Sequence, residues 1–440
     1  MTSTAVTAPP LFTELRPPLD PERALLEAER CLECGGRAEA PCVDACPAEV
    51  DVPGFIGAIA DGDPVGAADT IFASNLLGAT CARVCPVEVL CQGACVLAHE
   101  GRAPVEIAAL QRYATDLALA HRRPLRAHRA PLRHGRVAVV GAGPAGLACA
   151  GELAAAGFAV TVHDARPEAG GLVRFAIAPY RLQREPLPDE VRALDDLGVE
   201  FRLGDAIDSP EALRRLEADA DALVLACGMG ADTDVELPGA DLPGVWRSLP
   251  FIEALKTGEP PAVGRSVAVI GGGNTAIDVV CEARRLGAAE VTLVYRRTEA
   301  EMPAYAHEVE EARREGVRFL WLTVPLRFLG TRRLEGLECR HVRLVPDEGR
   351  GRLEEVEGTE FVLPVETAVL GIGQQPRTEL LTWIEGLELE RGRPAVDAAT
   401  GRTSNPRWWA AGDAVNGGAT VVEAVHQAKL VAASIAEVLP

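Results

Sequence analysis

The chain has 440 residues, of which 48% are hydrophobic, and a formal net charge of −20. This length exceeds what one hydrophobic core usually organises, so two or three domains are expected. The apolar fraction excludes wholesale disorder. The excess of acidic residues argues against a nucleic-acid partner, because a polyanion would be repelled over most of the surface.

The N-terminal residues 1–21 are rich in Thr, Ala and Pro and lack the apolar stretch of a secretory signal. No run of about 18 apolar residues occurs, so no membrane span is expected. We therefore predict a cytoplasmic protein, in which a disulfide framework is not expected. This matters because eight of the 12 cysteines lie between Cys31 and Cys95.

Residues 20–120 form a cysteine-rich region in which the apolar spacing predicts helices. The predicted helices are Pro21–Arg30, Pro53–Asp61, Pro64–Asn75 and Val105–Ala118. The next segment, 121–135, is basic and contains no acidic residue. It is interpreted either as a solvated linker or as a strap laid across an acidic neighbour or a cofactor phosphate.

From residue 136 onward, short β-branched runs alternate with helical segments. The predicted strands are RVAVV, FAVTVHD, DALVLACG, RSVAVIGG, EVTLVYRR and TAVLGIG. This alternation predicts an α/β fold with doubly wound parallel sheets. Two Gly-rich strand-to-helix turns, about 130 residues apart, indicate two dinucleotide-binding units.

The first Gly-rich turn has the G-x-G-x-x-G pattern at Gly141, Gly143 and Gly146, directly after a strand. Glycines here permit a tight turn, approach of the pyrophosphate and close packing of helix on strand. The diphosphate is then expected against the N-terminus of the following helix. Asp164, at the end of the next strand, is expected to accept hydrogen bonds from ribose hydroxyls.

The second turn repeats the pattern at Gly271, Gly273 and Ala276. A residue that hydrogen-bonds the ribose 2′-hydroxyl would be acidic, and at this position the chain has Arg296 and Arg297. Guanidinium groups bind a phosphate well, so this site is predicted to favour NADPH over NADH. An exposed basic strand end without a ligand is the alternative interpretation.

Near the C-terminus, Gly412 and Asp413 follow a short strand and precede a helix that starts near Thr420 and Val421. This arrangement resembles the FAD-closing motif of the adrenodoxin-reductase and glutathione-reductase superfamily. The resemblance assigns FAD to the first turn and implies a split FAD domain with the NADPH domain inserted in it. The implied limits are 136–250 and 366–440 for the FAD domain and 251–365 for the NADPH domain.

Hydride transfer between nicotinamide and flavin needs no side-chain acid or base, so no catalytic side chain is assigned. The histidines of this part are expected to be surface or packing residues, and its four cysteines are expected to be buried. These cysteines are Cys149, Cys227, Cys281 and Cys339. Because they form no C-x-x-C motif, a disulfide relay like that of thioredoxin reductase is disfavoured.

The N-terminal cysteines form two groups, C-x2-C-x7-C-x3-C-P from Cys31 and C-x3-C-P-x4-C-x3-C from Cys81. Zinc sites commonly show paired C-x2-C units, and only one such pair is present. Cysteine followed by proline is typical of bacterial ferredoxin runs, in which that cysteine serves the other cluster. The pattern therefore favours iron–sulfur clusters over zinc.

Taken together, the motifs of residues 20–440 resemble one NAD(P)H-oxidising module. It is shared by the glutamate synthase small subunit, the NADH-dependent ferredoxin:NADP oxidoreductase large subunit and dihydropyrimidine dehydrogenase. The resemblance rests on RCLECGG…PCVDACP, NLLGATCARVCPVEVLCQGAC, VGAGPAGL, GGLVRFAIAPYRL, VIGGGNTAID, VYRRTEAEMPA and AAGDAVNGGATVVEAV. It implies an N-terminal all-helical domain with two [4Fe-4S] clusters, followed by FAD-binding and NADPH-binding domains.

The resemblance also implies ligands for each cluster. It gives the first cluster Cys31, Cys34, Cys42 and Cys95. It gives the second cluster Cys46, Cys85, Cys91 and the helical residue Gln111, and it leaves Cys81 without a cluster. The run departs from the family pattern, because seven residues separate Cys34 from Cys42 where four are usual.

Matching the motifs implies further cofactor-binding residues. These are Pro144, Ala145, Gly171, Leu172, Arg181, Asn274 and Thr275. The segment RFAIAPYRL lacks a glycine that the family has near the flavin.

The resemblance implies that electrons pass from NADPH through FAD and the clusters to an acceptor subunit with flavin or iron–sulfur centres. The protein is therefore expected to form a hetero-oligomer. Gln111 and CARVCPVEVLC favour the input subunit of a dihydropyrimidine dehydrogenase. The alternatives are the glutamate synthase small (beta) subunit or the ferredoxin:NADP oxidoreductase large subunit. A hypothesis of another class is a stand-alone flavin disulfide or quinone reductase with a zinc-binding docking domain.

Overall fold

The computed structural model describes residues 14–126, 129–183, 186–347 and 351–439, and the chain divides into two compact units. The larger unit comprises Leu15–Arg174, Arg184–Gly230 and Pro376–Pro440. The smaller unit comprises Glu14, Phe175–Gln183 and Ala231–Gln375.

The N-terminal part of the larger unit is helical, and each predicted helix is present with ends that differ by one or two residues. Asp20, Asp51 and Asp63 each cap a helix by accepting a backbone N–H, and a proline follows each in the first turn. The helices are α1 (Pro21–Ala28), α2 (Pro41–Asp44), α3 (Val52–Ala60), α4 (Pro64–Ser74), α5 (Gly78–Val84), α6 (Val96–His99) and α7 (Ile107–Ala120).

The chain then enters a parallel sheet. Its elements here are β1 (Arg136–Val140), α8 (Pro144–Ala155), β2 (Ala159–Asp164), α9 (Gly171–Phe175), α10 (Leu187–Asp196), β3 (Val199–Leu203), α11 (Pro210–Asp219) and β4 (Ala222–Leu225). Buried β-branched and leucine residues fill the central strands, as expected for a sheet covered on both faces.

The smaller unit contains a second parallel sheet and an antiparallel one that the sequence analysis did not predict. The elements are β5 (Val245–Arg247), α12 (Ser248–Lys256), β6 (Ser266–Ile270), α13 (Asn274–Arg285), β7 (Glu290–Val294), α14 (Ala306–Arg314), β8 (Arg318–Leu320), β9 (Thr323–Leu329), β10 (Gly336–Val345), β11 (Arg352–Glu355), β12 (Phe361–Leu363) and β13 (Thr367–Leu370). The parallel order is β5-β13-β6-β7-β8, and β10 pairs with β9, β11 and β12.

The chain finally returns to the larger unit and completes its sheet. The closing elements are α15 (Thr378–Thr382), β14 (Leu389–Glu390), β15 (Arg393–Pro394), β16 (Trp408–Ala410), α16 (Asp413–Asn416) and α17 (Val421–Val438). Strand β16 pairs in parallel with β4, which gives the order β16-β4-β1-β2-β3. The C-terminal segment therefore brings α16 and α17 to the carboxyl ends of these strands, where open α/β sheets bind ligands.

The basic segment between α7 and β1, here called the arginine strap (described residues 121–126 and 129–135), is bound to the end of α8. Arg129 Nε donates to the Ala154 carbonyl at 3.0 Å, and the Ala130 N–H donates to Ala155 at 2.8 Å. Arg126 donates to the Phe72 carbonyl at 2.6 Å. Cations at a helix C-terminus satisfy free carbonyls and the negative end of its dipole. Arg126 also forms an ion pair with Glu152 of α8. The two interpretations of this segment, a linker and a strap across an acidic neighbour or a cofactor phosphate, stay predictions.

The main segment of the smaller unit runs from Ala231 to Gln375, so it includes β5 and α12. The limits of the FAD and NADPH domains stay a prediction. The cofactors assigned to each segment stay a prediction. In the described part of the chain, no helix has the length and apolar character needed to cross a membrane.

Candidate cofactor sites

The first Gly-rich turn leaves no room for side chains at two of its positions. Gly141 has φ 112°, and a Cβ on it would lie 2.3 Å from the Ala226 carbonyl oxygen. A Cβ on Gly146 would lie 1.9 Å from the Gly141 oxygen. Only glycine allows this turn and the close packing of α8 on β1, which opens the backbone at Gly143 to a diphosphate.

Asp164 is held at this turn by backbone donors. Its Oδ2 accepts from Ala142 N at 2.7 Å, and its Oδ1 accepts from Arg166 N at 2.8 Å. Gly171, followed by Leu172 at the start of α9, lies so close to Gly143 that a Cβ on it would be 2.8 Å from the Gly143 Cα. The predicted ribose and diphosphate residues thus come together at the carboxyl end of β1 and β2.

The C-terminal motif reaches the same turn. A Cβ on Gly412, which has φ 72°, would lie 2.8 Å from the Cβ of Ala145, next to Pro144 at the start of α8. Asp413 Oδ1 accepts from Ala419 N at 3.1 Å, and burial raises the pKa of the Asp413 carboxyl. These close approaches form a cradle that added side chains would fill, and this cradle fits FAD.

Helix α17 begins with a capping box beside this cradle. Thr420 Oγ1 accepts from Glu423 N at 3.3 Å, and Glu423 Oε2 accepts from Thr420 N at 2.8 Å. The box fixes the direction in which the chain enters the helix at Val421. Because the capping box occupies the N–H groups of Thr420 and Glu423, those of Val421 and Val422 are the ones in this turn that can face a ligand.

The second Gly-rich turn lies in the smaller unit, between β6 and α13. A Cβ on Gly271 would lie 2.1 Å from the Gly371 oxygen, and one on Gly272 would lie 2.3 Å from the Tyr295 ring. Space remains open beside Gly273, where a Cβ would meet no atom within 4 Å. Asn274 Oδ1 accepts from Tyr305 N at 3.0 Å, which holds the segment after β7 against the turn.

The next residues of α13 are Thr275, which is half-buried, and Ala276, which is buried as its predicted packing role requires.

The two arginines after β7 differ in their surroundings. Arg296 is exposed and has no hydrogen-bond or ion-pair partner among the described residues. Arg297 is half-buried and donates to the Gly351 carbonyl at 3.1 Å. Arg296 is therefore the guanidinium that is free to bind a phosphate in this structure.

Arg181, predicted from the resemblance as a cofactor-binding residue, lies in a buried ionic group of the smaller unit. Its Nε is 2.6 Å from Asp278 Oδ1, and its Nη1 is 3.0 Å from Glu308 Oε1. The Tyr180 hydroxyl donates to Asp278 at 2.7 Å. These contacts attach the segment Phe175–Gln183 to α13, so Arg181 anchors this segment as well as being a candidate for cofactor binding.

Four cysteines from distant positions line one cavity in the larger unit, here called the first cavity. They are Cys31, Cys34, Cys42 and Cys95, the set that the resemblance implies for the first cluster. Apolar side chains, including Val52 and Ile56 of α3, form its other walls. Cys34 has φ 44°, so the backbone between Cys31 and Cys34 makes a tight turn that directs both thiols inward.

A second cavity is lined by Cys46, Cys85, Cys91 and Gln111, the set implied for the second cluster. Cys81, which we expected to have no cluster, lines this cavity as well and is 2% exposed. It precedes Cys85 by one helical turn on α5, which the i, i+4 spacing could have indicated.

Gln111 projects from α7, and its side-chain amide has a fixed orientation. Nε2 donates to the Gly78 carbonyl at 2.7 Å. Because a carbonyl can only accept, the nitrogen must face Gly78, and Oε1 is left as the atom available to a metal. The residues of both cavities fit iron–sulfur clusters, since thiolates are their usual ligands.

Burial raises the pKa of the Cys42 and Cys91 thiols to about 12. Such thiols are protonated in the absence of a metal, and metal binding would release their protons. Among the described residues, no group of three or more His, Cys, Asp or Glu side chains could hold a single metal ion.

Comparison with known proteins shows the family to which this chain belongs. The family model described as pyridine nucleotide-disulphide oxidoreductase matches residues 135–428. The chain belongs to this family. A second model, described as dihydropyrimidine dehydrogenase domain II, 4Fe-4S cluster, matches residues 9–123. The protein is therefore an FAD-dependent NADPH oxidoreductase with an N-terminal iron–sulfur domain, and the predicted fold class is confirmed.

Several relatives resemble the chain along most of its length. The small chain of NADPH glutamate synthase from Halomonas elongata is 37% identical over 95% of this chain and 91% of that protein. The corresponding Escherichia coli chain is 34% identical over 96% of this chain and 93% of its own length. The beta subunit of NADP(+)-dependent formate dehydrogenase from Moorella thermoacetica is 36% identical, but the matched part spans 60% of that protein.

A solved structure shares the fold. Mycobacterium tuberculosis FprA in complex with NADPH aligns with a TM-score of 0.56 and 19% identity, over 70% of this chain and 85% of that one. The hypothesis favoured by the sequence, that the chain is a subunit of dihydropyrimidine dehydrogenase type, is not confirmed. The relatives fit the glutamate synthase alternative equally well or better.

Proposed function

We propose that this chain is the small, NADPH-oxidising subunit of a glutamate synthase-type enzyme and that it delivers electrons to a larger partner subunit. The near-complete mutual coverage with glutamate synthase small chains supports this choice. In the proposal FAD occupies the cradle at Gly141, NADPH binds at Gly271, and two [4Fe-4S] clusters occupy the cysteine-lined cavities. When bound, these groups supply hydride acceptance and one-electron transfer.

The observation that supports electron transfer from the flavin to the clusters is the position of Val422. This residue lies in the first turn of α17, directly after Thr420 and Val421, which the sequence analysis assigned to the flavin. Val422 also lines the second cavity with Cys46, Cys85 and Gln111. One helix start thus separates the FAD cradle from the second cavity, as a short electron path requires.

The remaining residues bind, orient and exclude water. Asp164 and Asp413 would hold ribose and ribityl hydroxyls, and Arg296 would hold the 2′-phosphate. Cys31, Cys34, Cys42 and Cys95 would hold the first cluster, and Cys46, Cys85, Cys91 and Gln111 the second. No side chain is asked to transfer a proton during hydride transfer.

The test begins with anaerobically purified protein. We expect one FAD and about eight irons per chain, together with a broad visible iron–sulfur absorption. Stoichiometric zinc with a clean flavin spectrum would instead support a flavin reductase with a zinc-binding docking domain and would refute the proposal.

The partner is tested by co-expression with a glutamate synthase large chain. We expect a stable complex that forms glutamate with NADPH, and neither chain alone should do so. The dihydropyrimidine dehydrogenase hypothesis predicts NADPH-dependent reduction of uracil or thymine when the chain is paired with a pyrimidine-reducing subunit. Activity with that pair, and none with the large chain, would overturn the glutamate synthase assignment.

A further inference from the structure

A buried carboxylate, Glu190, binds the start of α5, the helix from which Cys81 lines the second cavity, and it was not singled out in the sequence. It belongs to α10 in the larger unit and is 0% exposed. Its Oε1 accepts from Ala79 N at 2.9 Å and from Thr80 N at 3.0 Å, and its Oε2 accepts from Thr80 Oγ1 at 2.5 Å. These donors form the start of α5, where free N–H groups and the positive end of the dipole favour an anion.

Helix α5 connects Glu190 to the side chains of the second cavity. Its first residue, Gly78, accepts the hydrogen bond that orients the Gln111 amide. One turn later Cys81 lines the cavity, and Cys85 lines it at the helix end. Glu190 holds the first turn of α5 in place. It therefore fixes the position of the helix along and about its own axis, and with it the direction in which its residues face the cavity.

Hydrogen bonding alone does not require a carboxylate here. A glutamine could accept from both N–H groups through its oxygen and donate to the Thr80 hydroxyl through its nitrogen. A buried carboxylate is costly, and burial raises the pKa of Glu190 to about 7. Arg83, whose charge lowers this pKa, is engaged elsewhere, since it donates to the Ala79 carbonyl at 2.9 Å and to Asp116 at 2.8 Å.

We propose that Glu190 is a positioning residue of the second iron–sulfur site, which holds α5 against Gln111 and lowers the reduction potential of the cluster through its negative charge. A negative charge in a buried setting disfavours the arrival of an electron nearby. The inference rests on the proposed function, because it requires a cluster in the second cavity.

Glu190→Gln separates the charge from the hydrogen bonds. The holoprotein is purified anaerobically, its iron is counted, and both clusters are titrated with a reductant while their EPR signals are recorded. The titration is done well above pH 7, where a Glu190 carboxyl with a pKa of about 7 is ionised. We expect full iron content, a more positive midpoint potential for the second cluster and an unchanged potential for the first. Glu190→Ala, which removes the anchor as well, should lose the irons of the second cluster, about half of the total.

Asp189→Asn is the matched control. Asp189 is the preceding residue of α10, but its carboxylate is 35% exposed and pairs with Arg192 at 2.5 Å. Removing the same charge there should leave both potentials at the wild-type values. A comparable shift in this variant would show that the effect is not specific to Glu190.

The possible outcomes separate a failure of the role inferred for Glu190 from a failure of the proposed function. If Glu190→Gln has wild-type iron content and wild-type potentials, the carboxylate has no electrostatic role and the inference is wrong. If the wild-type protein itself holds about four irons, it carries one cluster and not two, so the proposed function falls and the inference loses its basis. Should Glu190→Ala fail to fold, Glu190→Gln decides the question alone.

Discussion

Replacing Arg296 by alanine tests how the smaller unit would select NADPH. The side chain is exposed and has no partner among the described residues, so its removal should not disturb the packing around β7. Arg297→Ala is the comparison, because that guanidinium already binds the Gly351 carbonyl at 3.1 Å. If both arginines bound the phosphate equally, the two variants would have equal effects.

The expected magnitude follows from the strength of one charge-assisted contact. A hydrogen bond to a charged group contributes about 1.5–3 kcal/mol, and about 1.4 kcal/mol corresponds to a tenfold change in affinity. The KM for NADPH should therefore rise roughly 10- to 150-fold in Arg296→Ala. The KM for NADH should stay the same, because NADH has no 2′-phosphate.

The assay needs no partner subunit, since ferricyanide accepts electrons from reduced flavoproteins. Steady-state rates are measured with NADPH and with NADH for the wild type, Arg296→Ala and Arg297→Ala. Equal losses with both nucleotides would mean that the substitution damages the fold. An unchanged KM for NADPH would show that the 2′-phosphate is bound elsewhere.

Three further predictions follow from the described contacts. Gln111→Ala should lose about four of about eight irons and keep its FAD, and unchanged cluster signals would refute its role as a ligand. The FAD content of the Gly146→Ala variant should fall well below one per chain, because the new Cβ would lie 1.9 Å from the Gly141 oxygen. Full flavin content would contradict the assigned cradle. Burial raises the pKa of Glu282 from 4.5 to about 8, so the folded state binds this proton more tightly than the unfolded chain does. The contribution of Glu282 to stability should therefore decrease as pH rises from about 4.5 to about 8, and Glu282→Gln should unfold at a higher temperature than the wild type at pH 9 but not at pH 4.5. Identical pH profiles of the two proteins would contradict this expectation.

Local patterns in the sequence predicted much of the fold. The strands RVAVV and SVAVI and the glycines after them predicted both parallel sheets and their turns, since period and turn chemistry are local properties. The antiparallel sheet was missed. Its central strand β10 pairs with β9 across a register shift at Glu338 and Cys339, so residues that face one side are not evenly spaced in sequence.

The candidate sites were predictable only in part for a similar reason. The cysteine sets came from a resemblance, and the structure places each set around a cavity. Glu190 gave no signal, because its donors Ala79 and Thr80 lie about 110 residues away in the chain. A glutamate on an amphipathic helix is ordinarily a solvated side chain, and only the packed structure shows that this one is buried.

The arginine strap has a consequence for the life of the protein in a cell. By binding both the Phe72 carbonyl and the end of α8, it joins the cysteine-rich helices to the flavin cradle in one compact unit. A metal that binds only the folded state stabilises everything that unfolds with it. Loss of the clusters should therefore also destabilise the parallel sheet of β1 to β4 and β16, so that iron starvation makes this sheet more sensitive to proteases.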